Sequence, residues 1–347
     1  MAAIELSGVS FRYPGSTGEA IENLSLNVDD KATHALLGAS GAGKTTMLNL
    51  LSGLLLPTSG RILFGDRDVS AVPAAKRNVA QVFQFPVLYP RMNVLENLVF
   101  PLCNNGWKKL DAAARALEIA KELGIEIVLE ANVSALTLFE RQLVAIGRAL
   151  VRPDVALVLL DEPLTAVQPE LKWRLRRTLR KVQADLGVTM IYVTHDQTEA
   201  LTFASAVSVM HGGHILQTGS PMEVHDHPEH EYVGFFIGSP GMNFVKAEVK
   251  RGAVRVNGTA LASTDHAEGE CTVGFRADWA MLAPDGLPVE ITGFRPDAVQ
   301  NGMPVGIASL KHDGNRLHVR AEGLIAPGPS HVQLKHHMLF REGRRVA

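Results

Sequence analysis

Nine consecutive residues, Gly38-Ala39-Ser40-Gly41-Ala42-Gly43-Lys44-Thr45-Thr46, constrain this chain more than any others. They fit G-x-x-x-x-G-K-[ST], the phosphate-binding P-loop pattern. The apolar run Thr33-His34-Ala35-Leu36-Leu37 before them predicts a buried strand. Met47, Leu48, Leu50, Leu51 and Leu54 after them recur at helical spacing. Strand, glycine-rich loop, helix is the context the motif requires. Glycines let successive backbone N–H groups turn toward an oxyanion, and the new helix adds the positive end of its dipole. In that context Lys44 reaches the β- and γ-phosphates of a nucleoside triphosphate, and the Thr45 hydroxyl ligates Mg²⁺.

A chain of 347 residues has room for two or three domains. Its 46% hydrophobic content is that of an ordinary globular protein. A formal net charge of −2 argues against a mainly electrostatic nucleic-acid binder, so no nucleic acid is expected as a partner. The two cysteines, Cys103 and Cys271, match no disulfide or metal spacing and suggest a reducing compartment. No secretion signal is evident, and nowhere do about 18 apolar residues run uninterrupted, so the chain is not expected to span a membrane.

Strands are expected at 4–11, 61–64, 79–84, 155–160 and 188–194, with a hairpin around Gly212-Gly213. Helical periodicity runs over about 94–102, 111–123, 138–150 and 170–186. Strands alternating with helices imply a mostly parallel sheet, and the middle third reads as a helical insertion. Gly238-Ser239-Pro240-Gly241 marks a boundary, beyond which short alternating segments predict a small β barrel or sandwich. The organisation expected is an α/β domain over 1–237, with a helical subdomain over about 86–152, and an all-β domain over 238–347.

Four further residues sit where this fold would place a ligand. Asp161-Glu162 ends the continuous apolar run Val155–Leu160, and in an open α/β sheet the carboxyl ends of the strands form the crevice. Asp161 there supports a metal shell, and Glu162 polarises an attacking water. His195 follows the next strand and can donate to a γ-phosphate, although a lone His is more often structural. Gln84 ends another strand and offers an amide oxygen to Mg²⁺ or water. Tyr13, beside the Pro14–Gly18 turn, either stacks on a base or packs at a strand end.

The order Tyr13, Gly38–Thr46, Gln84, Asp161-Glu162 and His195 resembles the nucleotide-binding subunit of an ABC transporter. Val82–Pro90, Arg141–Leu150 and Thr194–Ala200 are similar to the maltose-type carbohydrate importers (CUT1-like). So are Gly241–Phe244 and Val273–Arg276, which resemble that family's C-terminal oligonucleotide-binding-like (TOBE) regulatory domain. The resemblance implies an ATP hydrolase that uses ATP and Mg²⁺. By it, Tyr13 stacks on adenine, Gln84 senses the γ-phosphate, Asp161 supports the metal, Glu162 is the catalytic base and His195 the switch residue. It also implies a second ATPase subunit, two transmembrane permeases and an extracytoplasmic solute-binding protein. The location implied is peripheral, on the cytoplasmic face of the inner membrane, with part of 89–102 contacting the permeases.

The family carries Leu-Ser-Gly-Gly-Gln where this chain has Leu136-Thr137-Leu138-Phe139-Glu140. That segment cradles the γ-phosphate on the neighbouring subunit. Leu138 and Phe139 fill the space glycine leaves open, Thr137-x-x-Glu140 fits a capping box, and Glu140 places a negative charge toward a phosphate. The following Thr165-Ala166-Val167-Gln168 lacks the family's terminal Asp. A complete P-loop half with a damaged signature half leads to the expectation of a heterodimer, in which the other subunit supplies an intact signature. The alternatives are a homodimer that tolerates the variant signature, a regulatory subunit with little hydrolysis, and a soluble ATPase of DNA repair or translation.

Overall fold

Two compact units, Met1–Pro221 and Met222–Ala347, make up the computed structural model, which describes residues 3–165 and 167–346. Ala166, within the loop after Glu162, lies outside the described residues, as does Ala347.

The first unit runs β1 (Ile4–Phe11), β2 (Ile21–Val28), β3 (Thr33–Leu37), α1 (Lys44–Ser52), β4 (Ser59–Phe64), β5 (Arg67–Asp68) and β6 (Val79–Val82). Three helices follow, α2 (Val94–Asn104), α3 (Lys109–Leu123) and α4 (Leu138–Leu150). Then come β7 (Leu157–Asp161), α5 (Pro169–Leu186), β8 (Met190–Thr194), α6 (Gln197–Phe203), β9 (Ala206–His211) and β10 (His214–Gly219). A six-stranded sheet has the order β10-β9-β3-β8-β7-β6, parallel throughout except for the β9–β10 hairpin. All five residues of β3 and of β8 are buried, as are the first four of β7. Strands covered on both faces read as continuous apolar runs for this reason.

A second, antiparallel sheet has the order β2-β1-β4-β5. Its inner residues, such as Leu6, Leu26 and Ile62, share one core with Met47, Leu48 and Leu51 of α1 and with Leu159 and Ile191 of the parallel sheet. α1 is therefore fixed from both sides. Its C-terminal carbonyls run out of intrahelical donors; the Gly53 N–H reaches Leu50 O at 3.3 Å, and buried Arg77 adds a charged donor. Its guanidinium donates to Leu50 O at 2.5 Å, Leu51 O at 3.1 Å, Val72 O at 2.6 Å and Ser70 O at 3.2 Å. No helix among the described residues is long and apolar enough to cross a membrane.

His34 in β3 is buried, and its Nε2 meets Ser208 Oγ at 2.8 Å. Burial lowers its pKa from 6.5 to about 4. Between those values the unfolded chain binds a proton that the folded chain refuses, so stability rises with pH across the window. On acidification it is lost from about pH 6.5 down to about pH 4, by about 3 kcal/mol in all. Chemical denaturation at a series of pH values checks this, and His34→Asn should flatten the slope within that window.

The second unit begins at Met222, within α7 (Pro221–Asp226), followed by α8 (Glu231–Phe236). It continues through β11 (Asn243–Lys250), β12 (Ala253–Val256), β13 (Thr259–Ser263), β14 (Gly269–Phe275), β15 (Ala280–Ala283) and β16 (Leu287–Gln300). The last strands are β17 (Met303–His312), β18 (Asn315–Glu322), β19 (Gly328–Leu334), β20 (Met338–Arg341) and β21 (Arg344–Arg345). They form two antiparallel sheets, β13-β12-β11-β14-β20-β21 and β15-β19-β16-β17-β18, around a main apolar core, with a smaller cluster of Met242, Met338 and Phe340 beside it. The seam between units lies at Pro221, ahead of the position expected from Gly238. The short helices are tied to the β strands instead: Arg276, just after β14, is buried and donates to Ile237 O at 2.5 Å and to His225 O.

Candidate active site

Parallel strands present their carboxyl ends at one edge, and this edge collects the residues singled out above. β3 lies beside β8, β8 beside β7 and β7 beside β6, with Leu37 opposite Thr194, Val193 opposite Asp161 and Leu160 opposite Val82. The P-loop, His195, Glu162 and the Gln84 segment thus leave adjacent strands on the same side. β6 ends at Val82, so Gln84 stands two residues past the strand rather than closing it, and is half-buried.

The loop closes on itself through its lysine. Buried Lys44 Nζ donates to Gly38 O at 2.8 Å and Ala39 O at 2.9 Å. Gly43 has φ of +100°, and a side chain there would meet Ile21 and the Ala20 carbonyl, so the turn into α1 demands glycine. No side chain caps α1. Ser40, Gly41 and Thr45 are exposed, while Ala42 and Thr46 are buried. Tyr13 hydrogen-bonds through its hydroxyl to Thr46 Oγ1 at 3.0 Å and packs edge-on against Phe11, its centroid 4.9 Å away. The ring is therefore packed at a strand end and also held at the P-loop helix, 42% exposed.

Asp161, Glu162 and Lys44 share one electrostatic environment. Burial lowers the Lys44 pKa, opposed by the charges of Glu162 and Asp161. Burial raises the Asp161 pKa, reinforced by Glu162 and opposed by Lys44. A carboxylate disfavoured in this way gains from a cation beside it. The Thr45 hydroxyl has no hydrogen-bond partner among the described residues. This donor set fits Mg²⁺.

Glu162 has φ of +46°, in the left-handed region that side chains other than glycine rarely adopt. Its N–H bonds Val193 O at 3.0 Å, which ties it to β8. One carboxylate oxygen meets His195 Nδ1 at 3.0 Å, and the other accepts from Thr165 Oγ1 at 3.1 Å. His195 is itself placed by its neighbours: Asp196 caps α6, and Thr194 Oγ1 donates to buried Glu199 at 2.9 Å. Glu199 also accepts from Tyr192 and Lys172. The sequence offered no signal for Glu199 as this anchor. Thr165 was visible there only as part of the loop, although a hydroxyl three residues after Glu162 suits a turn that bonds back.

Leu136–Glu140 stands apart from this cluster in its chemistry. Thr137 caps α4, and the box is reciprocal. Glu140 N donates to Thr137 Oγ1 at 3.3 Å, while Thr137 N and Oγ1 each donate to Glu140 Oε2 at 2.8 Å. Leu138 and Phe139 are half-buried and line a cavity of their own chain.

The sequence model of the ABC transporter family matches residues 21–165. The sn-glycerol-3-phosphate import ATP-binding protein UgpC of Ruegeria sp. (strain TM1040) is 39% identical over 333 residues, covering 96% of this chain and 92% of that one. The diacetylchitobiose uptake system ATP-binding protein MsiK of Streptomyces coelicolor is 38% identical over 286 residues, covering 80% and 75%. Among solved structures, the ATP-binding cassette MJ0796, a dimer in a post-hydrolysis state with ADP and Pi, superposes with a TM-score of 0.56 at 26% identity, over 63% of this chain and 98% of that one. The chain belongs to the ABC transporter family, as an ATP-hydrolysing subunit of the carbohydrate-importer type.

Proposed function

We propose that this chain powers import of a small carbohydrate, polyol or polyol phosphate, paired with a second, non-identical ATPase subunit. The names of its relatives, which cite sn-glycerol-3-phosphate and diacetylchitobiose, support the substrate class. One observation carries the pairing. The Lys44, Asp161, Glu162 and His195 half is assembled, while the Thr137–Glu140 half spends its own capping groups on itself.

In this reading Tyr13 stacks on adenine, and the amides of Gly38–Thr46 with Lys44 hold the phosphates. Thr45, Asp161 and Gln84 hold Mg²⁺, which supplies charge neutralisation at the phosphates. Glu162 takes a proton from the attacking water once one of its oxygens is released. His195 leaves Glu162 to donate to the γ-phosphate. The neighbour's nucleotide faces Glu140, whose charge opposes it. Two permeases, served by an extracytoplasmic binding protein, dock at the membrane's cytoplasmic face. Exposed Phe85, Val87 and Tyr89 support that docking, the last with Arg148 5.2 Å from its ring centre.

The test is reconstitution. The purified chain alone should turn over ATP at least about tenfold more slowly than its mixture with an ATPase subunit bearing an intact signature, since each lost oxyanion donor costs about that or more. Full steady turnover by the chain alone favours the homodimer. The half-buried placement of Leu138 and Phe139 against their own chain is the observation on that side.

A further inference from the structure

A cavity of about 610 Å³ lies between the α3–α4 helices and α5, a volume typical of small-molecule sites. None of the P-loop residues, Gln84, Asp161, Glu162 or His195 lines it, whereas Thr137–Glu140 forms one wall. Its apolar walls are Leu123, Leu138, Phe139, Leu143 and Leu171. Its charged members divide sharply. The two carboxylates differ: Glu122 is paired with Lys181 Nζ at 3.0 Å, while Glu140, among the described residues, accepts only from the neutral groups of Thr137 and keeps its charge. Both cations, Lys121 and Arg174, are exposed and have no side-chain partner among the described residues. The cavity therefore offers an apolar floor with two cations, Lys121 and Arg174, against the one carboxylate, Glu140, that has no cationic partner among the described residues.

We propose that this cavity binds an apolar-bodied organic anion, with its head group between Lys121 and Arg174 and its body on the leucines and Phe139. Such a ligand also regulates the site. Val167 and Gln168 line the same cavity, two and three residues after Thr165, whose hydroxyl holds one oxygen of Glu162. An occupant spanning α4 and this stretch restrains the loop, keeps the Thr165–Glu162 bond closed and slows turnover. This second half rests on the role proposed for Glu162; the binding half does not.

Calorimetry on the full chain with decanoate and decanol separates the two halves. Decanoate should bind saturably at one site, about fivefold tighter than decanol, the increment expected of exposed charge pairs. The double substitution Lys121→Gln, Arg174→Gln should remove that difference and leave decanol unchanged, and Leu171→Gln should weaken both ligands. Equal affinity for acid and alcohol, or decanoate binding that none of these substitutions moves, overturns the site. Saturating decanoate should lower ATP turnover about threefold in the parent chain, and the decanoate concentration that gives half of that loss should rise about fivefold in the double variant. Binding without that loss of turnover overturns the regulation alone. A chain with no turnover in any setting counts against the ATPase reading, and the calorimetry still decides the site.

Discussion

Glu162→Gln, introduced into the assembled transporter, should lower ATP turnover by about 10²–10⁴-fold while nucleotide still binds. The side chain keeps its size and stays beside Thr165 and His195, but an amide cannot take the water's proton. Its backbone remains at φ of +46°, tied to Val193. Lys44 and the P-loop amides, to which the proposed reading assigns nucleotide binding, are untouched by the exchange. Two measurements are needed, steady-state phosphate release and equilibrium binding of a fluorescent ATP analogue. Loss of both points to misfolding. Retention of turnover within about tenfold places the base elsewhere. The same exchange at the matching Glu of the second subunit reads the asymmetry. There the effect on transport should be slight, because in the proposed pairing that nucleotide faces the self-capped Thr137–Glu140. If the second subunit's exchange is the one that abolishes transport, the assignment of the two sites is reversed.

The parts of this site that follow strand ends were legible in the sequence, because buried parallel strands advertise themselves as unbroken apolar runs. Thr33–Leu37 and Leu157–Leu160 did so, and the P-loop, Asp161 and Glu162 came with them. The capping box at Thr137 and Glu140 was also legible, since its two partners are three residues apart. What was hidden depends on contacts between distant residues. β2 buries Ile21, Leu24, Leu26 and Val28 but exposes Glu22 and Asn23 together, which breaks its alternation beside a polar loop. β17 carries Pro304 and Gly306, which read as breakers. In the fold, a side chain at 306 would sit 2.1 Å from Arg295 O, so the glycine marks a close approach of two strands rather than a turn. β13 and β15 are too short to show a period. The Thr165–Glu162–His195 chain of contacts joins residues up to 33 apart, and only the sheet order β8-β7 brings them together.

Arg77→Met should destabilise the first unit by about 4 kcal/mol, among the largest effects a single substitution causes. The methionine fills much of the volume but donates nothing. Four carbonyls lose a charged donor, those of Leu50 and Leu51 in a buried place and those of Ser70 and Val72 in a partly buried one. Two of them close the C-terminus of the helix that begins at Lys44, so the loss also loosens the phosphate loop at the other end. Arg77 has no carboxylate partner among the described residues, and burial lowers its pKa, so its compensation there comes from these carbonyls. Gly53, which caps α1, also packs against it: a side chain there would lie 2.5 Å from Arg77 Nε. Thermal unfolding followed by the transition of the first unit should fall by about 10 °C. Arg77→Lys, which keeps a charge but cannot span four acceptors in one plane, should fall about half as far. ATP affinity of folded Arg77→Met should also weaken, measured well below its midpoint. A midpoint within about 2 °C of the parent chain, with unchanged affinity, shows instead that α1 is held by its apolar faces alone and that the four carbonyls find other donors.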